Sequence, residues 1–186
     1  MKIAERWAFG SSRIDSKMPA RMSLSEVNAM TMKQFAECFG KVAEHSAWVA
    51  EAAADERPFV DRNAMIKAFE NAIRTAPAER QLQLLRAHPA LAGKAREITN
   101  DSRREQTEAG LETLSTDEFA RFTVLNDQYR RKFGFPFILA VKGATKQQIL
   151  AAFEERIGNS SDSELATALA QVARILRFRL EDRVES

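Results

Sequence analysis

The chain has two side chains that exchange protons near neutral pH without special help, His45 and His88. His45, next to Ser46 near a helix start, reads as structural or exposed. His88 has the more suggestive setting. An apolar pattern through Leu82, Leu84 and Leu85 leads to it, and Pro89 biases it away from helical backbone, so it falls at a helix C-terminal edge. A helix C-terminus favours the protonated imidazole. Downstream come Ser102, Glu105 and Gln106. In the last helical pattern, Leu165, Leu169, Val172 and Leu176 form an apolar stripe whose next position is Arg179. An imidazole, a carboxylate able to tune it, a hydroxyl and an inward guanidinium suit proton transfer on a small anionic substrate without a cofactor.

Each of these residues also has a structural reading. Ser102-x-x-Glu105 is a capping box; if Thr99 is the cap instead, Ser102 and Glu105 share a face inside the first two turns. A lone histidine often serves as a hydrogen-bond partner. Arg179 is either a structural ion pair, a stem that snorkels near the helix end, or a clamp for an anionic ligand.

The elements that must position these residues are helical. Thr31, Asp61, Thr99, Ser115 or Thr116, and Thr145 are candidate N-caps. Apolar faces follow at helical spacing: Phe35, Phe39 and Val42; Met65, Ile66, Phe69 and Ile73; Phe119, Phe122, Leu125 and Tyr129; Ile149, Phe153 and Ile157. Phe135-Pro136-Phe137-Ile138-Leu139-Ala140-Val141 is the one strand-like run, and no second strand is evident to pair with it. It reads as a buried, extended connector. Residues 1–25 show no sustained period and read as a weakly ordered extension, leaving 26–186 as one domain. The expected fold is an all-α, single-domain bundle of seven to eight helices.

Composition removes other classes. The net charge of +2 has no basic block behind it, which argues against nucleic acid. One cysteine and two histidines are too few for a zinc cluster, and no metal site is expected. Cys38, beside Phe35 and Phe39, reads as a small buried hydrophobe. No apolar run approaches the roughly 18 residues of a membrane span, and the N-terminus lacks a secretory core, so the cytoplasm is the expected location. Gly-rich phosphate loops and a Gly-x-Ser-x-Gly elbow are absent.

Several separated motifs occur in one order: His88-Pro89-Ala90-Leu91-Ala92-Gly93-Lys94; Ser102-x-x-Glu105-Gln106-x-x-Ala109-Gly110-Leu111; Leu125-Asn126-x-x-Tyr129; Phe133-Gly134-Phe135-Pro136-Phe137; and Arg179-Leu180. In that order the chain resembles the 2-oxo-4-hydroxy-4-carboxy-5-ureidoimidazoline (OHCU) decarboxylases of urate degradation. Asn100-Asp101 departs from the Thr-Pro-Glu type of lead-in expected before Ser102, which leaves the local cap open. The resemblance implies a helical fold, a homodimer, no metal or organic cofactor, and conversion of OHCU to (S)-allantoin and carbon dioxide. It implies that His88 is the catalytic acid/base and Glu105 its partner. Ser102, Gln106 and Arg179 would bind substrate, and Pro89 with Phe137, Ile138, Leu139, Ala140 and Val141 would line the pocket. It thus predicts Glu105 within hydrogen-bond reach of His88, both facing a pocket shared with Arg179. The rivals are a non-catalytic helical ligand-binding or interaction domain and an acid/base enzyme acting on another ureide.

Overall fold

The computed structural model describes residues 21–93 and 98–186. Among these there are nine helices: α1 (Leu24–Ala29), α2 (Met32–Phe39), α3 (Trp48–Ala54), α4 (Arg62–Thr75), α5 (Ala78–Arg86), α6 (Asn100–Glu108), α7 (Thr116–Phe133), α8 (Lys146–Arg156) and α9 (Ser161–Arg183). The all-α expectation holds, with more helices than the seven to eight expected, because the short α1 precedes Thr31. No helix of the described residues is long and apolar enough to cross a membrane.

Local chemistry sets the helix starts. Thr31 with Gln34, Ser115 with Glu118 and Thr145 with Gln148 form reciprocal capping boxes, and Asp61 and Thr99 cap through their side chains alone. Gly134, at φ 78°, ends α7 in the left-handed region that a side chain would resist. The expected domain boundary at residue 25 falls inside α1. Met22 N–H donates to the Arg183 carbonyl (2.8 Å), Glu185 N–H donates back to Met22 (2.9 Å), and Ser23 caps α1. The rest of the proposed extension, residues 1–20, lies outside the described residues, as do residues 94–97, which include Lys94 of the first motif.

The core is continuous, and α9 lies against α4, α5 and α7. Its buried face carries Ala168, Val172, Ile175, Leu176 and Leu180, with Glu164 and Arg179 on the same face; Leu165 and Leu169 are only partly buried, so the inward stripe is rotated slightly from the expected one. In α2, Phe35 and Phe39 take the inward face, and Cys38 lies beside that stripe, open to solvent, which corrects its expected burial.

Residues 135–141 form an extended connector with Phe135, Phe137, Ile138, Ala140 and Val141 buried. Its polar backbone is served by side chains in place of a partner strand. Arg156 Nη1 donates to the Ile138 carbonyl (2.8 Å), and Ala140 N–H donates to Gln171 Oε1 (3.0 Å). Arg156 is in turn held by the buried Glu164 carboxylate, through Nε at 3.0 Å and Nη2, and it lies 4.5 Å over the Phe137 ring. Tyr129 donates its hydroxyl to the same carboxylate. Burial and this bond push the phenol well above its ordinary range. The sequence reading missed this network. Its one signal was Glu164 falling four residues before Ala168 on the inward stripe.

Candidate active site

Three elements and the connector converge on one cleft. The end of α5 contributes His88 and Pro89. Helix α6 contributes Ser102, Glu105 and Gln106, and α9 contributes Ile175 and Arg179. Phe137, Ile138, Leu139 and Val141 of the connector and Leu91 complete the wall. The cleft is tight, with about 20 Å³ of free space, roughly the room of one water. Every residue expected from sequence lies on it except Ala140, whose N–H is turned to Gln171. A wider hollow of about 510 Å³ lies between Arg103, Leu111 and Phe119. It is an open depression without a histidine, so the chemistry belongs to the smaller cleft.

His88 is buried (6% exposed) and its Nδ1 lies 2.8 Å from the Leu84 carbonyl. A carbonyl only accepts, so Nδ1 carries the proton and Nε2 presents a lone pair. Nε2 is buried and has no hydrogen-bond partner among the described residues. Burial pushes the imidazole below its ordinary value and outweighs the Glu44 charge and the Leu84 carbonyl, which pull the other way. His88 is therefore a neutral imidazole. The bias of the helix C-terminus toward the protonated form is overcome, because desolvation of the cation exceeds the field of a single helix end.

Thr99 caps α6, its hydroxyl accepting from Ser102 N–H at 3.3 Å. The Ser102–Glu105 capping box is thereby excluded, and both side chains are free to face the cleft from the first two turns. Gln106 Oε1 accepts from Ala92 N–H (3.0 Å) and pins the loop after His88.

Arg179 is 1% exposed, and all five of its N–H bonds meet protein acceptors. Nε and Nη2 grip Glu105 in a two-point pair (2.8 Å each), the second Nη2 proton goes to Ser102 Oγ (2.9 Å), and Nη1 serves the Val42 carbonyl (3.0 Å) and Glu44 Oε1 (2.8 Å). The expected hydrogen bond between Glu105 and His88 is absent; Glu105 is engaged by Arg179 instead. The guanidinium, fully buried, needs the bidentate partner, and Glu105 lies one turn from Ser102 on the face of α6 nearest to it.

The carboxylate whose charge does act on His88 is Glu44, which the sequence reading did not single out. Glu44 is 2% exposed and lies between α2 and α3 with φ 52°. Ala92, in the loop after His88, is the other described non-glycine residue with positive φ, at 55°. Both belong to the surroundings of the cleft, where strained backbone is commonly stored. No periodicity or capping pattern marks Glu44; only the tertiary fold brings it beside His88. Among the described residues no group of three or more His, Cys, Asp or Glu side chains is arranged to hold a metal ion.

Residues 28–181 match the family described as OHCU decarboxylase. The chain belongs to the OHCU decarboxylase family. It is 42% identical over 165 residues to 2-oxo-4-hydroxy-4-carboxy-5-ureidoimidazoline decarboxylase of Haloferax volcanii, covering 89% of this chain and 98% of the relative. It is 39% identical to the uric acid degradation bifunctional protein of Bacillus subtilis, covering 86% of this chain and 32% of that longer protein. Its fold is similar to a crystal structure of (S)-allantoin synthase (TM-score 0.73, 30% identity, 88% of this chain and 54% of the other). It is also similar to an OHCU decarboxylase crystallised in the presence of (S)-allantoin (TM-score 0.64, 25% identity, 75% of this chain and 92% of the other). The OHCU decarboxylase motifs quoted from the sequence thus fall within the matched region up to Leu180.

Proposed function

We propose that this chain converts OHCU to (S)-allantoin and carbon dioxide, with His88 moving the protons. The observation that carries the reading is the buried Nε2 of His88, without a partner among the described residues, on a cleft shared with Ser102, Glu105 and Gln106, in a member of the OHCU decarboxylase family.

The chemistry follows from the substrate's own bonds. When the ring carbon loses its carboxylate as carbon dioxide, the bonding pair moves toward the adjacent ring C=N, which takes it up. The ring hydroxyl then gives up its proton to become a carbonyl, the neighbouring carbon gains one, and the ring nitrogen that took up the pair is protonated from solvent. His88 enters this sequence neutral, so Nε2 accepts the hydroxyl proton and, as imidazolium, returns one to the carbon. Delivery from one side of a walled cleft makes a single enantiomer. Arg179 acts on the substrate through Glu105 and Ser102, which it orients, because its own N–H groups are engaged. The Arg179 guanidinium is therefore not free to hold the substrate carboxylate and stabilise its ground state against loss of carbon dioxide. The amide N–H₂ of Gln106 is available to ring oxygens, its Oε1 being held by Ala92. Pro89 and the Phe137–Val141 side of the cleft supply the apolar wall.

Freshly generated OHCU incubated with the protein is expected to give a circular dichroism signal of (S)-allantoin well ahead of the spontaneous reaction. Racemic allantoin at the uncatalysed rate, or faster turnover of another ureide, overturns the proposal. The same reading carries a cytoplasmic homodimer working without metal or organic cofactor. Sedimentation equilibrium checks it: a monomer mass at micromolar concentration removes the dimer from the reading.

A further inference from the structure

We propose that Glu44 is a positioning residue for this reaction: its buried carboxylate holds negative charge beside His88 and fixes the proton of Ser102. The inference deepens the decarboxylase reading and rests on His88 being the group that moves protons.

The carboxylate ties three distant parts of the chain together. Its Oε1 accepts from Ser102 Oγ on α6 and from Arg179 Nη1 on α9 (2.8 Å); its Oε2 accepts from the cap residue Thr99 (3.0 Å). Each bond has a consequence. Because Ser102 donates to Glu44 and accepts from Arg179 Nη2 at 2.9 Å, its hydroxyl has no proton left for a ligand. It presents a remaining lone pair instead, which suits an N–H of a ureido group or a ring amide. Because Thr99 starts α6, the bond to Glu44 also fixes where that helix begins relative to His88.

Among the described residues, the charged and titratable groups around His88 come from three directions. Glu44 and His45 belong to the α2–α3 turn, Glu105 to α6 and Arg179 to α9. Glu105 is neutralised at short range by the two-point pair with Arg179. His45 and Arg179 both disfavour an imidazolium at position 88, and Glu44 favours it. Burial drives the Glu44 carboxyl up, but Arg179, Ser102 and His88 together hold it below the usual carboxylate range, so it stays ionised at neutral pH. A proton taken by the imidazole therefore arrives in the field of a fixed negative charge, held by Ser102 and Arg179 of the same cleft. Without that charge His88 is a weaker base and its imidazolium a less stable intermediate. The left-handed backbone at Glu44, unusual for a side-chain-bearing residue, supports a role beyond filling space, since a glycine would meet the turn geometry without strain.

The test uses the full chain with ¹³C-labelled histidine. There are only two histidines, and His45→Gln assigns them. In Glu44→Gln the titration midpoint of His88 is expected to fall by about one pH unit, a tenfold change in proton affinity. The acidic limb of kcat/KM should move down with it. In Glu44→Asp, which withdraws the charge by one methylene, the shift has the same sign and is smaller. An unmoved His88 midpoint in a folded variant overturns the proposal, whatever happens to the rate. If Glu44→Gln does not fold, the Asp variant decides by the same criterion, and failure of both to fold makes Glu44 a structural ion-pair member only. A shifted midpoint in a protein that does not decarboxylate OHCU would leave this inference standing and remove the functional reading; full OHCU turnover with an unmoved midpoint would do the reverse.

Discussion

His88→Ala is expected to lower the enzymatic formation of (S)-allantoin by about 10³-fold, within the range that a single general acid/base contributes. The remaining product should approach the racemate, since spontaneous loss of carbon dioxide has no preferred face. The fold should survive. Among the described residues the side chain makes one hydrogen bond, to the Leu84 carbonyl, and losing such a bond costs about 1 kcal/mol. Circular dichroism of the product mixture reads the stereochemistry, and far-ultraviolet dichroism of the protein reads the fold. Undiminished (S)-allantoin from a folded variant would remove His88 from the mechanism. The pH dependence of the native enzyme carries a sign. Burial lowers the His88 value, and the reacting form is the neutral one, so kcat/KM should hold as pH falls through the ordinary histidine value of about 6.5 and decline only below it. A decline that begins above that value would show that His88 is not a buried neutral base.

Arg179→Leu is expected to destabilise the protein by roughly 3–5 kcal/mol, a large fraction of the stability of a domain. Read from sequence, this arginine was equally open to being a ligand clamp, whose replacement by leucine would keep or raise stability. The five protein acceptors around the guanidinium reverse that expectation. Its removal leaves Glu44 buried without its cation and Glu105 without its two-point partner. The loss should depend on pH in a definite direction. In the native protein the folded-state value of Glu44 is depressed, so its contribution is present above the unfolded carboxylate value of about 4.3 and is lost as pH falls through the folded value. In the leucine variant an unpaired, buried Glu44 is raised instead, so the gap between variant and native protein should narrow toward acid. Urea unfolding at pH 5 and pH 8 measures this. Equal unfolding midpoints for native and variant protein at pH 8 would show that Arg179 is not the structural hub described.

Much of this molecule was determined by short-range chemistry and was legible in the sequence. Thr31, Asp61, Thr99, Ser115 and Thr145 start helices because a side-chain oxygen reaches a backbone N–H three residues on, and that bond needs no other part of the chain. The apolar period of α4 and α7 and the unpaired extended run at 135–141 were visible for the same reason, whereas most of the residues that meet on the cleft were named by the resemblance to the OHCU decarboxylases. What only the tertiary structure decided is how the charged groups pair and which of them is charged. Glu105 was expected to serve His88, but Arg179, 74 residues away in sequence, takes both its oxygens. Glu44 joins Arg179 across 135 residues and carries no periodic or capping pattern. The protonation of His88 was not decided by the helix end beside it, because a helix end is a local feature, whereas burial is a property of the whole fold. Electrostatic energies in a desolvated site depend on every neighbour within a few ångströms. Sequence spacing specifies which residues share a helix face, and only the assembled core specifies which ions that face will meet.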